Sequence, residues 1–349
     1  MDIQQSVNDL SKDSDGFVPN KTHLISIIIP VFNGEETVER AVQSVLRNRT
    51  DETEIEIILV DDGSTDNTPT ICDEISHNPG IRVVHTKNNG MVAARTIGIR
   101  EAKGEFIGFV DSDDWIEPDM FERMLQMMLS ENADLSICSV FQETKYGSFP
   151  SNNDGETVII NSPSVYQSLL LSNGIQGYRW NKLYKRELIH FESDPDIIQC
   201  EDLLFNVAYC EKINKAVYLR KALYHYVRRT DKEDFSYTKR DLSLMDAQEK
   251  LYALYAEKAP QYAFITAQNL LKTYLHFRAR AKLCGESDEI LLSKIRQGIR
   301  TFFYPVMTNR KVSLLTKGNI CFTYLFPRLS LRLKRMILQR RHRKGVWES

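Results

Sequence analysis

Long apolar runs are scarce in this 349-residue chain. The longest early one, Leu24 to Phe32, is interrupted by Ser26 and falls far short of the roughly 20 residues that span a bilayer, so it predicts a buried strand. Met1 to Lys21 is polar and acidic and lacks the basic start and apolar run of an export signal, which leads to the expectation of a cytoplasmic protein. Cysteine is sparse and unpaired: Cys72, Cys138, Cys200, Cys210, Cys284 and Cys321 form no Cys-x-x-Cys, which argues against a zinc site or a redox couple. An excess of one charge is also missing. At a net charge of -2 the whole molecule offers no electrostatic reason to bind nucleic acid. No Gly-x-Gly-x-x-Gly follows the first strand, where Asn33-Gly34-Glu35 stands instead, and no Gly-x-x-x-x-Gly-Lys-Ser/Thr occurs. Dinucleotide enzymes and P-loop proteins are thereby set aside, and sugar nucleotidyltransferases fare badly with them. No repeat or low-complexity tract is evident.

With 42% hydrophobic and 26% charged residues, the composition is that of a globular protein large enough for one main domain and an accessory one. Short β-branched runs alternate with helical periodicities, the pattern of βαβ units and a largely parallel sheet. Strands are expected at Ile25 to Val31, Ile55 to Val60, Ile81 to His85, Phe106 to Val110 and Leu135 to Phe141, with helices between them. Gln142 to Thr157 is polar and reads as a loop or an excursion. Beyond Asp241 the pattern is helical, and a domain boundary is expected near Thr230. The expected division is a polar leader (1–23), a main domain (24–229) in two halves (24–141 and 142–229), and a helical C-terminal region (230–349).

Two acidic features sit where strands end, the edge at which open α/β sheets bind ligands, and a third opens a helix. Asp62, beside Gly63 in Asp61-Asp62-Gly63-Ser64, can accept the N3–H of a uracil ring, or simply N-cap the next helix. In Asp111-Ser112-Asp113-Asp114, three carboxylates within four residues repel one another unless a cation or solvent relieves them. Mn²⁺ or Mg²⁺ favours such oxygens; the plain alternative is a solvated acidic turn. Glu201-Asp202 opens an apolar helix, where a carboxylate can take an acceptor's proton or merely complement the macrodipole. Arg95 lies near a helix start, within reach of phosphate. Trp180 can offer its face to an acceptor sugar, though most tryptophans are core. His225 is a candidate third metal ligand beside Asp113 and Asp111.

Ile27-Ile28-Ile29-Pro30-Val31-Phe32-Asn33, Val60-Asp61-Asp62-Gly63-Ser64-Thr65-Asp66 and Asp111-Ser112-Asp113-Asp114 together resemble family 2 glycosyltransferases. The resemblance implies a GT-A fold, Asp62 on the uracil, and Pro30, Phe32 and Glu35 along the nucleotide pocket. It further implies Asp113 on the metal, Asp111 near the ribose or metal with Ser112 beside it, and Asp202 as base with Glu201 its neighbour. An inverting displacement follows, from a nucleotide-diphosphate sugar to a glycan or lipid-linked acceptor in surface-polysaccharide synthesis. The family often shows Ala-Arg-Asn where this chain has Ala94-Arg95-Thr96. A non-catalytic nucleotide-sugar-binding subunit is the alternative. Finally, residues 327–347 concentrate arginine and lysine around leucine, isoleucine and methionine, the composition of a basic amphipathic helix suited to peripheral contact with an anionic membrane.

Overall fold

The computed structural model describes residues 22–48, 50, 53–162, 164–170, 175–190, 193–227, 239–286 and 288–344. The expected boundary near Thr230 and the leader up to residue 21 lie outside them. Three βα steps and a fourth strand open the fold: β1 (His23–Val31), α1 (Val38–Leu46), β2 (Thr53–Asp61), α2 (Thr68–Ser76), β3 (Ile81–His85), α3 (Met91–Glu101) and β4 (Phe106–Phe109). A two-residue β5 (Trp115–Ile116) follows, then α4 (Met120–Ser130), β6 (Leu135–Thr144), β7 (Gly147–Pro150), β8 (Thr157–Asn161), α5 (Ser164–Leu170), β9 (Lys182–Lys185), α6 (Glu201–Cys210) and β10 (Lys215–Val227). The helical remainder comprises α7 (Lys239–Lys258), α8 (Ala263–Cys284), α9 (Glu289–Thr308), α10 (Leu314–Leu325) and α11 (Pro327–Lys344).

The strands form one mixed sheet in the order β3-β2-β1-β4-β9-β6-β10-β5, with β7 on β6 and β8 on β10. Pairing is parallel from β3 through β4 and antiparallel at β9. The sheet is therefore less parallel than the βα alternation predicts, because strands after β4 arrive through hairpins and excursions. The polar stretch expected to be loop is one of these. β6 runs on to Thr144 and turns back, pairing Thr144 with Gly147 and Phe141 with Pro150. Its polarity reflects an exposed edge hairpin.

Ile25, Ile27, Ile28 and Ile29 of β1 are fully buried, as a central strand covered on both faces requires. Each such side chain contributes about 1.5–3 kcal/mol by leaving water. Helix α3 packs so closely on β1 that a Cβ at Gly98 would lie 2.3 Å from the Ile28 side chain. The residues of α7 to α10 and the segments between them assemble a second apolar cluster around Leu270, Leu271, Tyr274 and Ile295. There Gly298 lets α9 approach α8: a Cβ would stand 2.2 Å from the Tyr274 ring.

Candidate active site

The loops that leave β1, β2, β3 and β4 lie at the carboxyl ends of four parallel strands, and their side chains lace them together. Asn33, at φ 51, accepts from the Thr65 N–H through Oδ1 at 2.8 Å, while its own N–H donates to Ser64 Oγ at 2.9 Å. Glu35 Oε2 accepts from the Asn67 N–H at 2.8 Å, and the Gly34 N–H donates to Thr68 Oγ1. A Cβ on Gly34 would come 3.6 Å from Ser112 Oγ, so the loop after β1 also abuts the acidic turn.

Asp62 is 4% exposed. Its Oδ1 accepts from the Asn89 N–H at 2.9 Å, and its Oδ2 from the Gly90 N–H at 2.8 Å. The carboxylate is thus fixed by two amides of the loop after β3. Gly63 makes this possible: its φ is +73, and a Cβ there would stand 2.7 Å from the Asn88 nitrogen. Of the other residues expected along the nucleotide pocket, Pro30 is buried inside β1, paired with Val60, while Phe32 at the strand end is 47% exposed.

The acidic turn is tied to β10. Tyr224, fully buried, accepts from the Asp111 N–H at 3.0 Å and donates to Asp114 Oδ2 at 2.7 Å. The Val227 N–H donates to Asp114 Oδ1 at 2.7 Å. Asp114 is therefore the structural carboxyl of the cluster, 1% exposed, and burial followed by the neighbouring Asp111 pushes its pKa well up. Asp113 is half-buried, and Arg40 reaches its carbonyl oxygen while lying 4.4 Å over the Trp115 ring.

Arg95 was expected near phosphate. Instead it is 2% exposed and committed to carboxylates: Nη2 donates to Asp111 Oδ1 at 2.8 Å, and Nη1 to Asp202 Oδ1 at 2.8 Å and to Glu201 Oε1. A second guanidinium, Arg179, completely buried, meets Glu201 Oε2 and lies 3.0 Å from Asp202 Oδ1 through Nε. Burial works against both charges. At Arg95 the carboxylates of Asp202 and Asp111 outweigh it and raise the pKa; at Arg179 burial prevails and lowers it to about 10. Burial also pushes Asp111 up, with Arg95 opposing. Helix α6, which brings Glu201 and Asp202 here, starts after Cys200 in the left-handed region at φ 60, a conformation that costs a non-glycine residue about 1 kcal/mol or more and clusters at functional sites.

His225 pairs with Trp115, two residues beyond Asp113. Its ring is stacked between Trp115 at 4.8 Å and Phe141 at 4.5 Å, and its two nitrogens lie 2.8 Å from Glu117 and Glu143. With both nitrogens so engaged it joins β5, β6 and β10. Trp180 is 2% exposed and so is no open platform. Arg179 and Tyr224 went unnoticed as site residues in the sequence. Their signal, an arginine and a tyrosine in apolar surroundings, is shared by ordinary core positions.

Among the described residues, no three His, Cys, Asp or Glu side chains converge as a complete metal-ligand set. The donors that are present, the Asp111 and Asp113 carboxylates two residues apart at a strand end, suit a hard divalent cation that takes its remaining ligands from phosphate and water.

A sheet with helices on it, ligand loops at the carboxyl ends of β1 to β4, and an acidic turn facing two carboxylates at a helix start define the GT-A type nucleotide-diphospho-sugar transferase fold. The Glycosyl transferase family 2 profile matches residues 26–193. The putative glycosyltransferase EpsH of Bacillus subtilis is 36% identical over 215 residues, 59% of this chain and 61% of that protein, so the chain spans about three fifths of that relative. Glycosyltransferase GlyG of Streptococcus pneumoniae is 30% identical over 224 residues, 60% of this chain and 72% of GlyG. The chain belongs to glycosyl transferase family 2. Its fold is also that of residues 1–349 of S. aureus TarS, crystallised in complex with UDP, at a TM-score of 0.63 and 18% identity over 93% of each chain.

Proposed function

We propose that the chain is an inverting glycosyltransferase that moves one sugar from a UDP-sugar to a hydroxyl of a polysaccharide or lipid-linked oligosaccharide acceptor. The observation that carries this reading is a single buried guanidinium, Arg95, holding Asp111 of the acidic turn and Asp202 of α6 at 2.8 Å each. An enzyme that must keep a diphosphate site and a proton acceptor in fixed relation needs such a link.

In this reading the fixed Asp62 receives the uracil edge beside exposed Phe32. Asp113, with Asp111, would hold Mn²⁺ or Mg²⁺, which when bound offsets charge on the departing diphosphate. Both arginines meet Asp202 Oδ1, leaving Oδ2 to take the acceptor proton as the new bond forms. Glu201, bridged by both guanidiniums, orients Asp202 without touching substrate. The solved complex of TarS with UDP supports the choice of nucleotide.

The same proposal includes peripheral membrane contact through 327–347. Leu329, Leu333, Met336 and Ile337 of α11 recur at helical spacing and are 37–50% exposed, and Arg328, Arg332 and Lys334 are exposed beside them. Residues 345–347 lie outside the described residues. No helix among the described residues is long and apolar enough to cross a membrane. Flotation with anionic liposomes checks this: a chain ending at Phe326 should stay unbound where the full chain floats.

A screen of nucleotide sugars for Mn²⁺-dependent transfer tests the reaction, and Asp202→Asn tests the role of the base. The variant should bind UDP-sugar as the wild type does and lose transfer by about 10²–10⁴-fold. Turnover at the wild-type rate would remove Asp202 from that role.

A further inference from the structure

Four aromatic rings form a stack whose exposure rises from one end to the other. Tyr224 is fully buried, its hydroxyl pinned between the Asp111 N–H and the Asp114 carboxyl. Trp180, 2% exposed, lies 4.4 Å from it at an interplanar angle of 23°. Two half-buried rings then lie parallel to the indole: Tyr178 at 4.6 Å and 14°, Tyr226 at 5.3 Å and 9°. Their centroids are 6.4 Å apart. The inner end of the stack is thus the acidic turn itself, and the outer end meets solvent.

The same segment is bound to the candidate base. Arg179, between Tyr178 and Trp180 in sequence, holds Glu201 and Asp202. Asn206 Nδ2 donates to the Tyr178 carbonyl at 3.3 Å and to the Asp202 carbonyl at 2.8 Å. The fully buried Lys182 ammonium donates to the carbonyls of Ile175, Gln176 and Tyr178 at 3.1, 3.0 and 2.6 Å. Burial works against that charge and lowers its pKa to about 7, and the carbonyls that accept from it brace the backbone of the segment that carries Tyr178.

We propose that Tyr178 and Tyr226 form the subsite for the acceptor's terminal pyranose. This rests on the glycosyltransferase reading and names where its second substrate lies. A pyranose carries one apolar C–H face, which leaves water against a flat aromatic surface, while its hydroxyl rim stays hydrated or meets polar tips. The segment that carries Tyr178 is tied to Asp202 through Arg179 and Asn206, so in this proposal Asp202 takes the proton of a hydroxyl of the ring so seated. The nucleotide is assigned a different place: Asp62 and Phe32 belong to the β1–β3 side of the acidic turn, whereas Trp180 precedes β9 and the tyrosines at 224 and 226 sit on β10, across β4.

Saturation-transfer NMR with methyl β-glucoside, methyl β-galactoside and methyl β-N-acetylglucosaminide, on protein holding UDP and Mn²⁺, tests this. At least one glycoside should receive saturation on its ring protons. Tyr178→Ala should weaken its binding about fivefold or more, the loss of one aromatic contact, while Tyr178→Phe stays near wild type. UDP affinity, by calorimetry, should be unchanged in both. Should Tyr178→Ala fold poorly, Tyr226→Ala carries the same expectation. Binding by no glycoside, equal binding by the alanine variants, or competition between glycoside and UDP each overturns the subsite. Failure of the wild type to bind any UDP-sugar would instead strike the glycosyltransferase reading, and glycoside binding without nucleotide would then decide the platform alone.

Discussion

The two ends of the site hold their carboxylates by different means. At the end built by the loops after β2 and β3, Asp62 is met by neutral backbone amides 27 and 28 residues away. At the acidic end, Glu201 and Asp202 are met by guanidiniums, Arg95 across 106 and 107 residues and Arg179 from the segment before β9. A neutral amide that loses its partner leaves one unsatisfied group. A buried guanidinium that is lost leaves a charge with nothing to offset it. One end is therefore tolerant and set by local chain geometry, while the other is brittle and set by the whole fold.

Arg179→Met gives the sharpest break. The aliphatic chain keeps its place against Phe205, whose ring the guanidinium overlies at 3.9 Å, but Glu201 loses one of its two cations. Urea unfolding should show a loss of about 3–5 kcal/mol. Adding Glu201→Gln should recover part of it, a positive coupling between neighbours in one network. Loss without recovery would mean that packing, not charge, dominates at Arg179.

The same contrast explains what could be read in the sequence. The strand ends at Val31, Asp61 and Phe109 follow from short apolar runs closed by Asn33-Gly34, Asp62-Gly63-Ser64 and Asp111-Ser112-Asp113, local signals that need no partner. Asp62, Asp113 and Asp202 stand out because a carboxylate at a strand or helix end is conspicuous. Arg95 was noticed, but its partners were not, since nothing local brings residue 95 to residue 201. The surroundings of His225 are equally hidden, since Trp115 and Phe141, which stack on its ring, come from two other strands. The hairpin after β6 was missed because an exposed edge strand is as polar as a loop.

At the Asp62 end the expected effects are smaller. Gly63→Ala meets both a positive φ and a 2.7 Å approach to the Asn88 nitrogen, and should cost about 1–3 kcal/mol while lowering UDP affinity. Asp62→Asn removes charge from two amide contacts and exposes an amide donor to one of them, for about 1–2 kcal/mol. Thermal unfolding and UDP titration separate these two. A stability loss matching that of Arg179→Met in either variant would erase the contrast between the ends.

The smallest effect concerns His85, whose Nδ1 lies 2.8 Å from Asp61 and Nε2 3.1 Å from Asp73. The hydrogen bond to Asp61, acting against burial and helped by Asp73, raises its pKa above 6.5. A raised histidine pKa means that the folded state binds the proton more tightly. Its stabilisation is complete below pH 6.5, where the unfolded chain is also protonated, and fades as pH climbs through the folded value. The ring is 40% exposed, so solvent screening limits the contribution to a few tenths of a kcal/mol. His85→Gln should therefore be slightly less stable than wild type at pH 5.5 and indistinguishable from it at pH 9, by urea unfolding at both. A gap that widens with pH would reverse the sign and show that the neutral ring is what Asp61 prefers.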